Sequence, residues 1–361
     1  MFEKKTVRDV DVKDQVVLVR TDYNVPLAVT DEGKMAVASD FRIREGLPTL
    51  RYLLENGAKK LILMSHMGRP EGKDEKLSLR VVAETLAGLL PGSVVNFVDE
   101  ATGPLVKEAV DELPERGILL LENLRFDKRE KEGSEELAKE IVEATGATLF
   151  VQDGFAVTHR AHASTVAVAK LLPAVAGLLL EQEVTMLRGA LAEPERPLVA
   201  VIGGAKVADK QPLIDRFLPV ADRIIIGGKI AADGYESDHA QIYVAEDFDT
   251  DGEGTRLDIG PIATAKMAGM VSGAKTVIWN GLLGKAEDPA YATSSTILAK
   301  ILGERDDETS IILGGDTSGF VEGLYMEDPS LTYSLISTGG GAALELLAGG
   351  EMPGVEVLEG K

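Results

Sequence analysis

Two α/β domains with mainly parallel sheets, joined by a linking helix, are what the sequence predicts, and three observations predict them. Short apolar runs rich in β-branched residues alternate with amphipathic helical stretches along the chain. The alternation occurs twice, on either side of a long apolar segment near the middle. The length, 361 residues of which 45% are hydrophobic, exceeds what one core of ordinary size covers and suits two.

In the first half the candidate strands are 16–20, 60–64, 117–121 and 148–152. Their apolar residues run continuously rather than alternating, as in strands of a parallel sheet covered by helices on both faces. The second half repeats the pattern with 198–202, 223–226, 276–279 and 310–313, followed by a helix opening near Gly341. Between the halves, 165–191 contains Pro173 and then a largely apolar stretch with few turn signals before Pro194, which reads as the linking helix. The expected organisation is therefore a first domain over 1–164, a linker and interdomain helix over 165–192, a second domain over 193–345, and a tail over 346–361 packing back on the first domain. The charge run 130–140 reads as a solvated helix face.

Composition excludes several classes of function. A net charge of −21, from 38 Lys and Arg against 59 Asp and Glu, lacks the basic faces that nucleic acids and anionic membranes require. The chain has no cysteine, so disulfides, thiolate metal sites and thiol nucleophiles are absent. No run approaches the roughly 18 apolar residues of a membrane span, and residues 1–10 are charged where a signal peptide is apolar, so a cytoplasmic protein is expected.

The scarce cations cluster just past the predicted strands. Thr21-Asp22-Tyr23-Asn24-Val25-Pro26 follows 16–20, and carboxyl ends of strands are where open α/β sheets place ligands. Asp22 and Asn24 suit a hydroxyl or carboxylate, although Asp-x-Asn-x-Pro also forms plain capped turns. Ser65-His66-Met67-Gly68-Arg69-Pro70 follows 60–64; its glycine permits close backbone approach, and His66 and Arg69 both donate to phosphates. Strand 117–121 runs into Glu122-Asn123-Leu124-Arg125-Phe126, and 148–152 into the segment from Asp153 to Ser164 with His159, Arg160 and His162. Three of four histidines lie in these segments. Four successive strand ends bearing Arg, His or Asn are best explained by one anion site in which guanidinium forks clamp a phosphate and a carboxylate.

In the second half, 198–202 ends in Gly203-Gly204-Ala205-Lys206-Val207-Ala208-Asp209-Lys210. A glycine turn with two lysines four apart, which share one face if helical, suits a polyphosphate. It is not a P-loop, because Gly-x4-Gly-Lys-Ser/Thr occurs nowhere in the chain. Trp279-Asn280-Gly281, Gly314-Gly315-Asp316-Thr317 and Ser337-Thr338-Gly339-Gly340-Gly341-Ala342 follow. Asp316 is a reasonable Mg²⁺ ligand, and the triple glycine offers backbone amides to an anion without the spacing of a dinucleotide fingerprint.

Taken in order, from 17–26 to 337–342, these segments closely resemble phosphoglycerate kinase along nearly the whole chain. The resemblance implies two Rossmann-like three-layer domains, the first binding 3-phosphoglycerate or 1,3-bisphosphoglycerate and the second Mg-ADP or Mg-ATP. It implies that Asp22, Asn24, His66, Arg69, Arg125 and Arg160 hold the triose acid and that Arg42, in Phe41-Arg42-Ile43, reaches the transferring phosphoryl. Lys206 and Lys210 are then expected to neutralise the nucleotide and migrating phosphates. The resemblance likewise implies that Gly227, Gly228, Asn280, Gly315 and Thr317 contact the nucleotide, Glu287 its ribose, Asp316 the Mg²⁺, and the Gly339 and Gly340 amides the phosphoryl. In-line transfer between substrates on different domains, hinge closure and a monomeric state are further expectations.

The match has local departures. Trp279-Asn-Gly-Leu-Leu-Gly-Lys-Ala-Glu287 lacks the Pro and Phe of the family segment but keeps the Glu. Leu313, Lys229, Leu335 and Gly154 stand where glycine, a third glycine, a hinge histidine and alanine are usual. A rival reading is a nucleotide-impaired relative that binds the triose acid in a regulatory role; a second, an NAD oxidoreductase, lacks a fingerprint.

Overall fold

The computed structural model describes residues 2–305 and 307–361. The chain forms two compact units: one comprises the chain up to Val184 and again Glu351–Lys361, and the other is Thr185–Gly350.

The first unit is built on a six-stranded parallel sheet of order β5-β6-β4-β1-β7-β8. Its elements are β1 (Val16–Arg20), the hairpin β2 (Leu27–Val29) and β3 (Met35–Val37), α1 (Phe41–Glu55), β4 (Lys60–Met64), α2 (Arg80–Leu89), β5 (Val95–Val98), α3 (Pro104–Glu112), β6 (Gly117–Leu121), α4 (Glu135–Thr145), β7 (Leu149–Gln152), β8 (Ala174–Ala176) and the start of α5 (Leu178–Ala192). The central strands β1, β4, β6 and β7 are buried almost throughout, and Val17, Ile43, Leu50, Leu61, Leu63, Leu86 and Ile118 share one core beneath the helices. Local signals fix the helix ends: in α4, Ser134 accepts from the Leu137 amide, Glu135 and Glu136 face the positive end of the dipole, and Gly146 closes the helix at φ 60°.

The second unit repeats the plan with a sheet of order β11-β10-β9-β14-β15-β16. Its elements are β9 (Leu198–Ile202), α6 (Val207–Phe217), β10 (Arg223–Ile226), α7 (Gly228–Ala232), β11 (Ile242–Val244), the hairpin β12 (Phe248–Thr250) and β13 (Arg256–Ile259), α8 (Pro261–Ser272), β14 (Thr276–Asn280), α9 (Thr293–Gly303), β15 (Thr309–Leu313), α10 (Gly315–Glu327), β16 (Leu335–Ile336) and α11 (Gly341–Ala348). The short α12 (Pro353–Glu356) follows, back in the first unit. The two Rossmann-like α/β sheets agree with the predicted fold class. The strands without a sequence signal are the short edge and hairpin strands; all but the buried β8 have part-exposed residues, and none carries a long apolar run.

The charge run 130–140 departs from expectation at one end. Glu130 is fully buried and accepts from the Ser164 amide at 3.0 Å and the Ser164 hydroxyl at 2.6 Å. The same Ser164 Oγ accepts from Arg20 Nε at 2.8 Å, so the carboxylate offsets a buried guanidinium.

The start of α5 is held by a second buried carboxylate. Asp153 Oδ1 accepts from the Leu179 amide at 3.1 Å and from Thr49 Oγ1 at 2.9 Å, while Thr49 Oγ1 accepts from the Leu178 amide at 2.9 Å. Burial, aided by the nearby Glu183 charge, pushes the Asp153 carboxyl up to about 7, against the pull of these bonds. An unfolded Asp releases its proton near ~3.9. Between those values the folded state holds a proton that the unfolded state does not, so this group's contribution to stability declines as pH rises through that window. Asp153→Asn keeps the Oδ1 acceptor and removes the titration. The melting-temperature difference, variant minus wild type, is expected to grow between pH 4 and 7.5 by several degrees; a difference independent of pH would assign the titration elsewhere.

Candidate active site

In the first unit β6, β4, β1 and β7 are neighbours, so the four polar clusters emerge side by side at one edge of the sheet. Asp22, past β1, is buried and paired with Arg42 from the first turn of α1. His66, past β4, places Nδ1 4.0 Å from Asp22 Oδ1 and 3.2 Å from an Arg20 terminal nitrogen. Because a guanidinium only donates, His66 Nδ1 is an acceptor there and the ring proton sits on Nε2. Burial, with the charges of Arg20, Arg125 and Arg42, holds its pKa well below the usual histidine range, so His66 is a neutral donor. Asn24 Oδ1 accepts from the Gly68 amide at 2.8 Å, and Arg125 donates to the Gly68 carbonyl at 2.6 Å. Burial, then the charges of Arg20 and Arg160, lower Arg125 to about 10, against the pull of Glu130 and Asp22. Arg69 and Arg160 are exposed; Arg160 Nε lies 3.0 Å from His159 Nε2.

In the second unit the turns after β9, β10, β14 and β15 surround a cavity of about 630 Å³. Lys206, Lys210, Gly228, Asn280, Glu287, Gly315, Asp316, Thr317 and Gly340 all line it. Lys210 Nζ donates to Asn280 Oδ1, and Asn280 Nδ2 donates to the Leu313 carbonyl at 2.9 Å. Thr317 Oγ1 accepts from the Gly281 amide at 2.8 Å. The glycines allow backbones to touch: a Cβ on Gly203 would stand 2.3 Å from the Leu282 carbonyl oxygen, and one on Gly281 2.3 Å from that of Gly203. Burial lowers the Lys210 pKa while Asp209 and Asp316 raise it.

Three expectations change. Lys206 is the extended N-cap of α6 (φ −128°, ψ 120°), so it does not share a helical face with Lys210. The Gly339 amide is committed to Ser337 Oγ at 3.0 Å, and of the two glycines expected at the phosphoryl Gly340 lines the cavity. Gly227 is not among the lining residues; its amide is given to the Ile202 carbonyl, and a Cβ there would stand 2.6 Å from Leu283 Cδ2. Sequence reading also missed Arg20, Glu130 and Asn123 as organisers of the first site and Asp258 at the second, where it is buried and receives the Ser294 amide and hydroxyl at the start of α9. For Arg20 the signal was present, since a charged last residue on a buried strand needs a buried partner.

Comparison with known proteins decides the assignment. The family model described as phosphoglycerate kinase matches residues 7–242 and 233–350. The chain belongs to the phosphoglycerate kinase family. Solved phosphoglycerate kinases agree: that of Coxiella burnetii is 30% identical with a TM-score of 0.76 and 98% of each chain covered. That of Pyrococcus horikoshii OT3 is 27% identical with a TM-score of 0.84, covering 99% of this chain and 98% of that one. Phosphoglycerate kinases transfer phosphate to the carboxyl group of 3-phosphoglycerate, a glycolytic reaction, and this is the reaction of the chain. Among the described residues, no helix is long and apolar enough to cross a membrane.

Proposed function

We propose that the strand-end cluster of the first unit holds the triose acid and the glycine-lined cavity of the second holds Mg-ADP or Mg-ATP. The carrying observation is the division of chemistry: Asp22, Asn24, neutral His66, Arg69, Arg125 and Arg160 suit a small molecule bearing a hydroxyl, a carboxylate and a phosphate, whereas Lys206, Lys210, Asn280 and Thr317 at glycine turns suit a polyphosphate. Glu287, which lines the cavity, suits a ribose hydroxyl, and the cavity has the size of a small-molecule site.

Mg²⁺ fits this donor set. Asp316 is a hard carboxylate at the first turn of α10, facing the cavity, and among the described residues no group of three or more acidic or histidine side chains forms an all-protein metal cage. That composition matches an ion bound through a carboxylate and substrate phosphates. When bound, it supplies neutralisation of phosphate charge.

The protein's own part is positioning and charge. His66 donates from Nε2 without titrating near neutrality, Arg42 offers its fork to the transferring phosphoryl, and Lys210 follows the charge as it moves to the nucleotide. No covalent enzyme intermediate is required. We place the protein in the cytoplasm, in keeping with the glycolytic role, and propose a monomer, as the family resemblance implies, with its substrates as partners.

A coupled assay in both directions, varying each substrate, tests the division. Arg69→Ala is expected to raise the KM for 3-phosphoglycerate about ten-fold and leave that for Mg-ATP within two-fold, as loss of one charge-assisted phosphate contact dictates. A change confined to the nucleotide constant would reverse the assignment of the two units.

A further inference from the structure

Residues 66–79 form an arch over the end of the sheet that carries His66 and Arg69 and whose Gly68 carbonyl receives Arg125. Both roots of this arch are tied to two consecutive side chains past β6. Asn123 Oδ1 accepts from the Met67 amide at 3.1 Å, and its Nδ2 donates to the Met67 carbonyl at 2.8 Å and the Leu77 carbonyl at 2.9 Å. Glu122 accepts from Ser78 Oγ at 2.8 Å and from the Leu79 amide at 2.9 Å. The pair is braced in turn: Asn123 Oδ1 also accepts from the Arg125 amide at 3.1 Å, and Glu122 Oε1 from the Asn123 amide at 2.7 Å. Both side chains are buried, 3% and 1% exposed, so each bond is made where an unmet partner is costly.

The crown of the arch is held differently. Beneath it lies a cavity of about 430 Å³ bordered by Glu71, Lys73, Asp99, Glu100, Glu122 and Asn123. The exposed Lys73 reaches across, 3.4 Å from Asp99 and 3.9 Å from Glu100, a contact of little energetic weight at the surface. Between Pro70 and Leu77 the crown is mostly exposed, and its firm supports lie at Gly68, which Asn24 and Arg125 hold, and at the roots.

We propose that Glu122 and Asn123 are positioning residues for the triose acid, which they never touch: by fixing both roots they hold His66, Arg69 and the Gly68 carbonyl that aims Arg125 as one preformed anion receptor. The inference rests on the reading that this edge of the first unit binds the triose acid. Preorganisation of this kind acts on affinity for the anion, because a loose arch must be ordered each time the ligand binds. It leaves the nucleotide site untouched, since no bond of the network reaches the second unit.

The test is a double-mutant cycle on the full-length enzyme with steady-state kinetics and thermal unfolding. Asn123→Ser is expected to raise the KM for 3-phosphoglycerate about ten-fold or more while leaving the KM for Mg-ATP within two-fold, and to blunt the further effect of Arg69→Ala by several-fold. Ser78→Ala, which removes one bond at the outer root, is expected to give a smaller rise of about three-fold in the same constant with the fold intact; it carries the test if Asn123→Ser does not fold. Additive effects of Asn123→Ser and Arg69→Ala, equal shifts in both Michaelis constants, or no shift in Ser78→Ala would overturn the proposal. If Arg69→Ala itself left the triose-acid constant unchanged, the underlying assignment of the site would fail instead.

Discussion

Arg42→Ala is expected to lower turnover about a thousand-fold while each Michaelis constant moves only a few-fold, the pattern of a contact that strengthens in the transition state. Arg42 sits in the first turn of α1 with its side chain 23% exposed, ion-paired to an Asp22 that is almost sealed from solvent. One arm of the fork is therefore fixed by a buried carboxylate. The rest of the guanidinium remains for equatorial oxygens whose charge grows as the phosphoryl flattens. Removing Arg42 also takes from Asp22 its ion-pair partner and leaves it the Asn24 amide at 3.2 Å and the nearby charges of Arg20 and Arg125, so part of any loss comes from a weakened charge balance. Arg42→Lys separates the two effects, because it keeps the charge and loses the planar fork. A turnover number that survives in Arg42→Ala would remove the residue from the chemistry.

Lys210→Ala is the second large effect, a fall in turnover of about a hundred-fold to a thousand-fold, accompanied by a weaker nucleotide constant. The ammonium is aimed by Asn280, which is anchored in turn to the Leu313 carbonyl, so it stands at a defined point of the cavity wall. Partial burial disfavours its charge, whereas Asp209 and Asp316 favour it. An incoming polyphosphate adds to the favourable side, so binding strengthens both the charge and the contact. Lys206→Ala, removing a residue at the N-cap rather than within the helix, is the natural comparison. Loss confined to nucleotide affinity in Lys210→Ala, with turnover restored at saturation, would make this lysine an anchor only.

The fold was legible wherever a strand is buried on both faces. Segments such as Val16–Arg20 and Leu198–Ile202 announce themselves as apolar runs ended by glycine or polar clusters. Two-residue and three-residue strands such as β16 and β8 have no such signature, because their pairing is set by neighbours already in place. At the site, the types of residue past each strand were readable and their partnerships were not. Arg20 meets Ser164 across 144 positions of sequence and His66 across 46, distances at which periodicity is silent. The commitment of the Gly339 amide to Ser337 was equally hidden, since a glycine run reads the same whether its amides are free or spent. Asn123 looked like a bystander beside Arg125; four hydrogen bonds make it a hub.

The return of the chain to the first unit bears on how the protein is made. The Lys5 amide bonds the Glu359 carbonyl at 2.8 Å, the Glu359 amide bonds the Ala174 carbonyl at 3.0 Å, and the Gly354 amide bonds the Thr158 carbonyl at 2.8 Å in the loop that presents Arg160. On a ribosome, Thr185–Gly350 emerges without a break and can finish folding as soon as it clears the exit tunnel. The unit translated first cannot make all its contacts until the end, since residues 4–5 and the Thr158 loop pair with residues 196 to 356 positions later. Until residues 354–360 are made, the edge at Ala174 and the loop carrying Arg160 lack these backbone partners.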